Sequence, residues 1–504
     1  MPQKNFYSYC QQRFTDSKVF IRQSTDNREF TYADLHRESG RIANYLTGLD
    51  LEKGDRVMVQ AEKSAQNLFW YFACLRVGLI YLPLNPAYLQ HEVEYFVNNA
   101  EPSLVLCDPE KETVFKAALN QNNQNRQSNQ CPIILLDAKG ICSVDIETVA
   151  EFTEVDCDED DVAVILYTSG TTGKPKGAMI THGNLVSNGQ TLTEAWQWRQ
   201  DDVMLHALPT FHIHGLFVAT HLPVMNGSTI LFLQKFDPQE IIQRLPESTV
   251  YMGVPTNYVR LLAQDGFTEA ACRNMRLFTS GSAPLLAQTF AEFQDRTSHT
   301  IVERYGMTET GMNTSNPIAG DRKPGTVGPA LPGVRTLILD ESGNEVELSA
   351  PGNLLVKGKN VFKGYWRMPE KTAEEFTPDG YFKTGDIASQ DDDGYIAIIG
   401  RDKDMIITGG LNVYPKEIEA VIDDMPGVLE SAVIGLPHAD FGEAVSAVVV
   451  KSAREDPLDD QSIIAYMKSR VAGFKVAKQV YFVDELPRNA MGKVQKNVLR
   501  EMYK

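Results

Sequence analysis

The sequence predicts an α/β protein: a large N-terminal domain of layered α/β subdomains plus a β-rich subdomain, followed by a small, mobile α+β C-terminal domain. Three observations carry this expectation. Strand-like apolar runs alternate with helical patterns through the first part of the chain, and glycine-marked short strands replace them between about Gly325 and Ile399. The pattern then restarts after the charged stretch Gly400-Arg401-Asp402-Lys403-Asp404. A chain of 504 residues also exceeds the size to which one core usually grows.

The elements follow in order. Apolar runs at 56–60, 103–107, 132–136 and 163–167 read as strands, and helical spacing at 32–49 and 91–100 places helices among them. The apolar stretch 68–84 is interrupted by Arg76 and Pro83, so it reads as a buried helix followed by a strand, and no membrane insertion is expected. Residues 118–130 are dense in Asn and Gln and read as a surface loop or disordered insertion. Strands at 334–339, 352–356 and 395–399 make the β-rich part. Beyond it, Pro415 opens a helix whose apolar face is Ile418, Val421, Ile422 and Met425. Strands at 431–434 and 444–450 and a helix at 462–471 complete the small domain. The expected division is 1–400 for the core, 401–404 for a hinge and 405–504 for the C-terminal domain.

Composition excludes several functions. A formal net charge of -18 disfavours a general nucleic-acid binder, which needs clustered Lys and Arg. Seven cysteines without C-x-x-C spacing point to reduced thiols and a cytoplasmic location. The opening segment has no apolar core and no Arg-rich, acid-poor character, so neither a secretory nor a transit peptide is expected. Oligomeric state is left open.

The chemistry concentrates in Tyr167-Thr168-Ser169-Gly170-Thr171-Thr172-Gly173-Lys174-Pro175-Lys176-Gly177, directly after a strand. Glycines turn backbone N–H groups toward an anion, hydroxyls add neutral donors, and Lys174 and Lys176 add charge. Pro175 follows Lys174 where the common P-loop has Ser or Thr, which disfavours a kinase or GTPase.

This segment resembles the signature of the adenylate-forming enzymes, the superfamily of acyl-CoA synthetases, luciferases and peptide-synthetase adenylation domains. Further segments match in the family's order. Ser282-Ala283-Pro284 resembles the turn beside adenine. Tyr305-Gly306-Met307-Thr308-Glu309 resembles the motif in which the tyrosine stacks on adenine and the glutamate holds Mg2+ on the ATP phosphates. Asp386 resembles the ribose-binding aspartate, and Arg401 the arginine that assists it. Lys493, in Pro487-Arg488-Asn489-Ala490-Met491-Gly492-Lys493, resembles the catalytic lysine that bridges the attacking carboxylate and the α-phosphate. The resemblance makes Lys493, Glu309 and Thr168 the catalytic set, and Thr168 to Lys174 with Lys176 the phosphate cradle. It implies ATP and coenzyme A as co-substrates and a C-terminal domain that rotates about Lys403. Rotation brings Gly409, Gly410 and Leu411 to the coenzyme A tunnel. Lys475 and Lys478 are weaker candidates for the coenzyme A phosphates.

The acid is read from Arg304. Where many members carry a small residue, a buried guanidinium here calls for an anion, either an internal carboxylate such as Glu303 or a second carboxylate on the substrate. With Phe211-His212-Ile213-His214-Gly215 and Met312-Asn313-Thr314-Ser315, the pattern resembles the malonyl-CoA synthetase branch. That implies malonate held by Arg304, Ser282, His214 and Met312. A ligase for methylmalonate, oxalate or a fatty acid is the alternative within the class. A carrier-loading adenylation module or a silent binding protein is the alternative outside it.

Overall fold

The computed structural model describes residues 5–123, 131–147, 149–168, 175–408, 411–438, 442–452, 458–489 and 493–504. Among them the strands form sheets of seven, eight, four and five strands. In the seven-stranded sheet Arg56–Gln60, Ile80–Pro83, Leu104–Cys107, Ile133–Leu135 and Val162–Thr168 run parallel, and Lys176–Thr181 and Gly364–Tyr365 extend it on one side. In the eight-stranded sheet the parallel set is Val19–Gln23, Thr229–Phe232, Val203–His206, Val250–Gly253, Leu277–Ser280 and Ile301–Met307. Antiparallel Glu29–Thr31 and Gly311–Ser315 form its edges.

Strand periodicity explains the layering. Val57 and Val59 point into one apolar cluster with Leu35, Leu46, Phe69, Phe72 and Leu75 of the helices Tyr32–Thr47 and Ala65–Val77, and Met204, Ile230 and Val302 of the other sheet join them. Met58, between those valines, faces a second cluster with Val93, Phe96 and Phe115 on the helices Gln90–Ala100 and Glu112–Asn123. Leu205, Leu231, Tyr251 and Phe278 pack on a third with Tyr258, Leu261 and Phe293. Both faces of each sheet are covered, the expected state for mostly parallel strands.

The stretch 68–84 is the expected buried helix and strand. Ser64 caps the helix and Gly78 ends it in the left-handed conformation. Arg76 within it is fully buried; both its Nη atoms are engaged, while its Nε has no hydrogen-bond partner among the described residues. It pairs with Glu154 at 2.9 Å and donates to the backbone oxygens of His36 and Phe152 at 2.7 and 3.1 Å. Among the described residues no helix is long and apolar enough to cross a membrane.

One expectation is corrected. The Asn/Gln-rich segment does not begin as a loop: Glu112–Asn123 is a helix, and Ala118 and Leu119 are buried beside Phe115 in the second cluster. Three apolar side chains at helical spacing override the polar composition around them. Residues 124–130 lie outside the described set.

Arg335–Leu339, Gly352–Lys357, Phe382–Gln390 and Ile396–Arg401 make the antiparallel β-rich sheet. The last sheet centres on Gly442–Lys451, with Val428–His438 antiparallel and Gln479–Val483 parallel to it, and packs on the helices Pro415–Asp423 and Asp460–Lys468. Among the described residues, two side-chain bonds tie this C-terminal unit to the segment before it beside its packing contacts. Lys416 Nζ donates to Ile398 O at 2.6 Å, and Arg500 pairs with Asp404 at 2.9 Å.

Candidate functional site

The candidate residues gather where strands of three sheets end. Val162–Thr168 delivers Thr168, Leu277–Ser280 leads into Gly281 and Ser282, and Ile301–Met307 carries Arg304, Tyr305 and Gly306. Open α/β sheets bind ligands beyond the carboxyl ends of their strands, and the parallel strands here aim at one cleft. Ser169, Gly170, Thr171, Thr172, Gly173 and Lys174 of the phosphate-loop motif lie outside the described residues, as do Gly409 and Gly410.

Glu309 is buried beside Thr168. Its Oε1 accepts from Tyr365 Oη at 3.1 Å and from Thr168 Oγ1 at 3.4 Å. Lys176 sits 4.3 Å from the Tyr365 ring centroid and 3.8 Å from Glu375, so protein groups already engage its charge. Tyr365 was not anticipated: it stands 56 positions from Glu309, and only the fold joins them. No cluster of three or more His, Cys, Asp or Glu side chains suited to a metal occurs among the described residues. One buried carboxylate with a hydroxyl beside it fits Mg2+, which usually takes one or two carboxylates and completes its shell with substrate phosphates and water.

The second group is set by sheet register. Asp386 and Arg401 are direct cross-strand partners, and Arg401 Nε reaches Asp386 Oδ1 at 2.8 Å. Arg401 also donates to Thr384 O at 3.3 Å, while Tyr305 Oη donates to Asp386 Oδ2. The Tyr305 hydroxyl is thereby tied to a buried carboxylate. Beside it Ser282 adopts φ 70°, the left-handed conformation that costs a non-glycine residue about 1 kcal/mol and clusters at functional sites. Ala283 is half-buried and Pro284 exposed, and Thr308 is half-buried between Gly306 and Glu309.

Arg304 is 3% exposed, and its Nε and Nη2 have no hydrogen-bond partner among the described residues. Glu303 does not supply one. Neighbouring strand residues point to opposite faces, and the Glu303 carboxylate instead accepts from Gly325 N at 3.2 Å. Burial lowers the Arg304 pKa to about 10, which leaves it cationic at neutral pH. His214 is also buried, with both ring nitrogens unpartnered among the described residues. Burial first, then the Arg304 charge, keeps its pKa well below 6.5. His212 follows the same logic at about 3, with Lys493 and Arg304 as the charges it senses. Met312 is buried in the central cluster, close against Gly306.

Gly281 is a residue that sequence reasoning missed. A Cβ there would lie 2.4 Å from Arg304 Nη1 and 2.5 Å from Cζ, so the guanidinium rests directly on the glycine backbone. Lys493 enters from the C-terminal unit. Its side chain is open to solvent in a cleft walled by protein, and partial desolvation followed by the Arg401 charge lowers its pKa to about 8. Asp386, Glu309 and Arg304 are within its electrostatic reach. Lys403 lies in a short 3-10 turn, Asp402–Asp404, and Leu411 is an exposed strand residue. Lys475 is paired with Glu417 at 2.5 Å.

Known proteins resemble this chain along most of its length. The AMP-binding enzyme family matches residues 8–366, and the AMP-binding enzyme C-terminal domain matches residues 417–493. The chain is 49% identical to MatB from Rhodopseudomonas palustris, covering 100% of this chain and 99% of that one, with a TM-score of 0.95 to the ATP-bound crystal structure and 0.85 to the apo structure. It is 34% identical to a malonate–CoA ligase of Arabidopsis thaliana, covering 96% of this chain and 82% of that protein. It is also 34% identical to a feruloyl-CoA synthase of Amycolatopsis, covering 94% of each.

Proposed function

Because this chain belongs to the AMP-binding enzyme family, we propose that it is an AMP-forming acid–CoA ligase that converts malonate, ATP and coenzyme A to malonyl-CoA, AMP and diphosphate through a malonyl-adenylate. The observation that carries the choice of acid is the buried, unpartnered Arg304 guanidinium beside an unpartnered His214. Removing the partner of a buried charge leaves a penalty of about 3–5 kcal/mol, so a ligand that brings the missing carboxylate is selected strongly.

In this reading one malonate carboxylate lies on Arg304, His214 and Ser282, and Met312 limits the depth of the pocket. The other carboxylate faces the α-phosphate. Tyr305, with Ser282 to Pro284, holds adenine, and Asp386 with Arg401 holds the ribose hydroxyls. Thr168 to Lys174 cradle the phosphates, together with Gly306, Thr308 and Lys176. Glu309 and Thr168 would hold Mg2+, which would supply positive charge to the phosphates. A carboxylate is already a nucleophile, so the protein supplies alignment and charge rather than a base. The malonate oxygen attacks the α-phosphorus as the bond to diphosphate breaks, and Lys493 balances the charge shared by carboxylate and phosphate. The coenzyme A thiol, losing its proton, then attacks the acyl carbon and AMP leaves.

The two steps need two postures of the unit 405–504 on the core 1–400, with 401–404 as hinge at Lys403. In the second, Gly409, Gly410 and Leu411 flank the pantetheine path. Free thiols at all seven cysteines suit a reducing compartment such as the cytoplasm. The test is product stoichiometry: malonate, ATP and free coenzyme A should yield malonyl-CoA and AMP in equal amounts. AMP release without consumption of coenzyme A would overturn the ligase reading.

A further inference from the structure

The catalytic-lysine motif sits on a short hairpin whose described arms are tied together. Asn489 N donates to Lys493 O at 2.9 Å, Lys493 N to Asn489 Oδ1 at 3.0 Å, and Gln495 N to Pro487 O at 2.8 Å. Arg488 and Val494 form an isolated antiparallel bridge across the same arms. These bonds fix the hairpin internally but do not fix its direction relative to the body of the C-terminal unit.

Val494 packs on the cluster of Ala432, Ile434 and Leu486, and two ion pairs add a directional tie on either side of Lys493. Arg488, before the lysine, pairs with Glu430 on the strand Val428–His438. Lys496, after it, pairs at 2.5 Å with Glu419 on the helix Pro415–Asp423. Both pairs are largely sheltered. Side-chain exposures are 27% and 28% for the first and 16% and 17% for the second, unlike freely solvated surface pairs. Glu419 is itself anchored, accepting from Val433 N at 2.8 Å. The helix and the strand are packed on each other through the unit's core, so the two carboxylates form a rigid base. One cation on each side of Lys493 is therefore seated on a different element of that base.

The geometry points to Glu430 and Glu419 as positioning residues for the adenylation step, which clamp the hairpin at Arg488 and Lys496 and so aim Lys493 into the cleft. This rests on the role of Lys493 proposed above. An error of about 1 Å in a catalytic group can lower a rate about 100-fold, so loosening the clamp affects whichever step uses Lys493. The thioester-forming step does not use it.

The experiment measures the two half-reactions separately in the full-length enzyme. The first is adenylate formation from ATP and the acid that the wild type activates best. The second is thioester formation from supplied acyl-adenylate and coenzyme A. Arg488→Met and Lys496→Met should each slow the first about tenfold or more and leave the second within about twofold of wild type. Arg488→Lys should recover part of the loss. Equal slowing of both half-reactions would reduce the pairs to fold maintenance, and no slowing of the first would remove the role; either result overturns the proposal. If the wild type formed adenylate with another acid but not with malonate, the malonate reading would fail while this test still stood.

Discussion

At Arg304 the site is decided by what is missing around the guanidinium rather than by what touches it. Glu303 precedes it in the chain but points away, so the nearest carboxylate in sequence leaves the cation free for a ligand. Gly281 makes room for it. Gly281 is outside the left-handed region, and the atoms nearest an added Cβ all belong to the flexible end of Arg304. Gly281→Ala should therefore displace the guanidinium at a stability cost of about 1–3 kcal/mol. The expected readout is a malonate KM raised about tenfold with ATP affinity unchanged, from initial rates over both substrates; a matching rise for ATP would place the effect elsewhere. Lys493 gives a pH signature. It must keep its proton to balance phosphate charge, and partial desolvation with the Arg401 charge brings its pKa down to about 8. Adenylation kcat/KM of the free enzyme should thus fall as pH rises through about 8, and a profile flat from about 7 to about 10 would contradict this role. Arg304, Glu309, Asp386 and Lys493 were legible in the sequence because each stands in a dense local motif. Tyr365 and Gly281 were not, since each matters through one partner distant in the chain.

Elements were legible where length and periodicity agree. Arg56–Gln60 matches its expected bounds, and Ala65–Val77 with Ile80–Pro83 resolves the long apolar stretch as expected. The strands Val203–His206, Thr229–Phe232, Val250–Gly253 and Leu277–Ser280 were not assigned from sequence, because four buried residues show no period that separates strand from helix. One of them, Leu277–Ser280, nonetheless leads into Gly281 and Ser282 of the site. The end of the helix Glu112–Asn123, from residue 118 on, was misread for the opposite reason: its polar composition hid a narrow apolar face. Leu119→Ala should destabilise the protein by about 2–5 kcal/mol in denaturant unfolding, the usual range for a buried leucine. A change below about 0.5 kcal/mol would mean that the helix is not packed as described.

Across the whole molecule the two parts of the chain meet with Lys493 turned into the cleft, Lys416 bonded to Ile398 and Arg500 paired with Asp404. In the proposed reading this is the posture for adenylate formation. Arg304 and Lys493 are both cations within electrostatic reach of each other, and the proposed reading assigns one to each malonate carboxylate. A site built to pair a charged group can reject an analogue lacking it by about 10⁴ or more. The most direct test is kcat/KM for malonate against butyrate, measured side by side in the wild type and in Arg304→Gly. The account predicts a wild-type preference for malonate of about 10⁴ or more, reduced at least about 100-fold in the variant with ATP affinity preserved. Comparable values for the two acids in the wild type would contradict it.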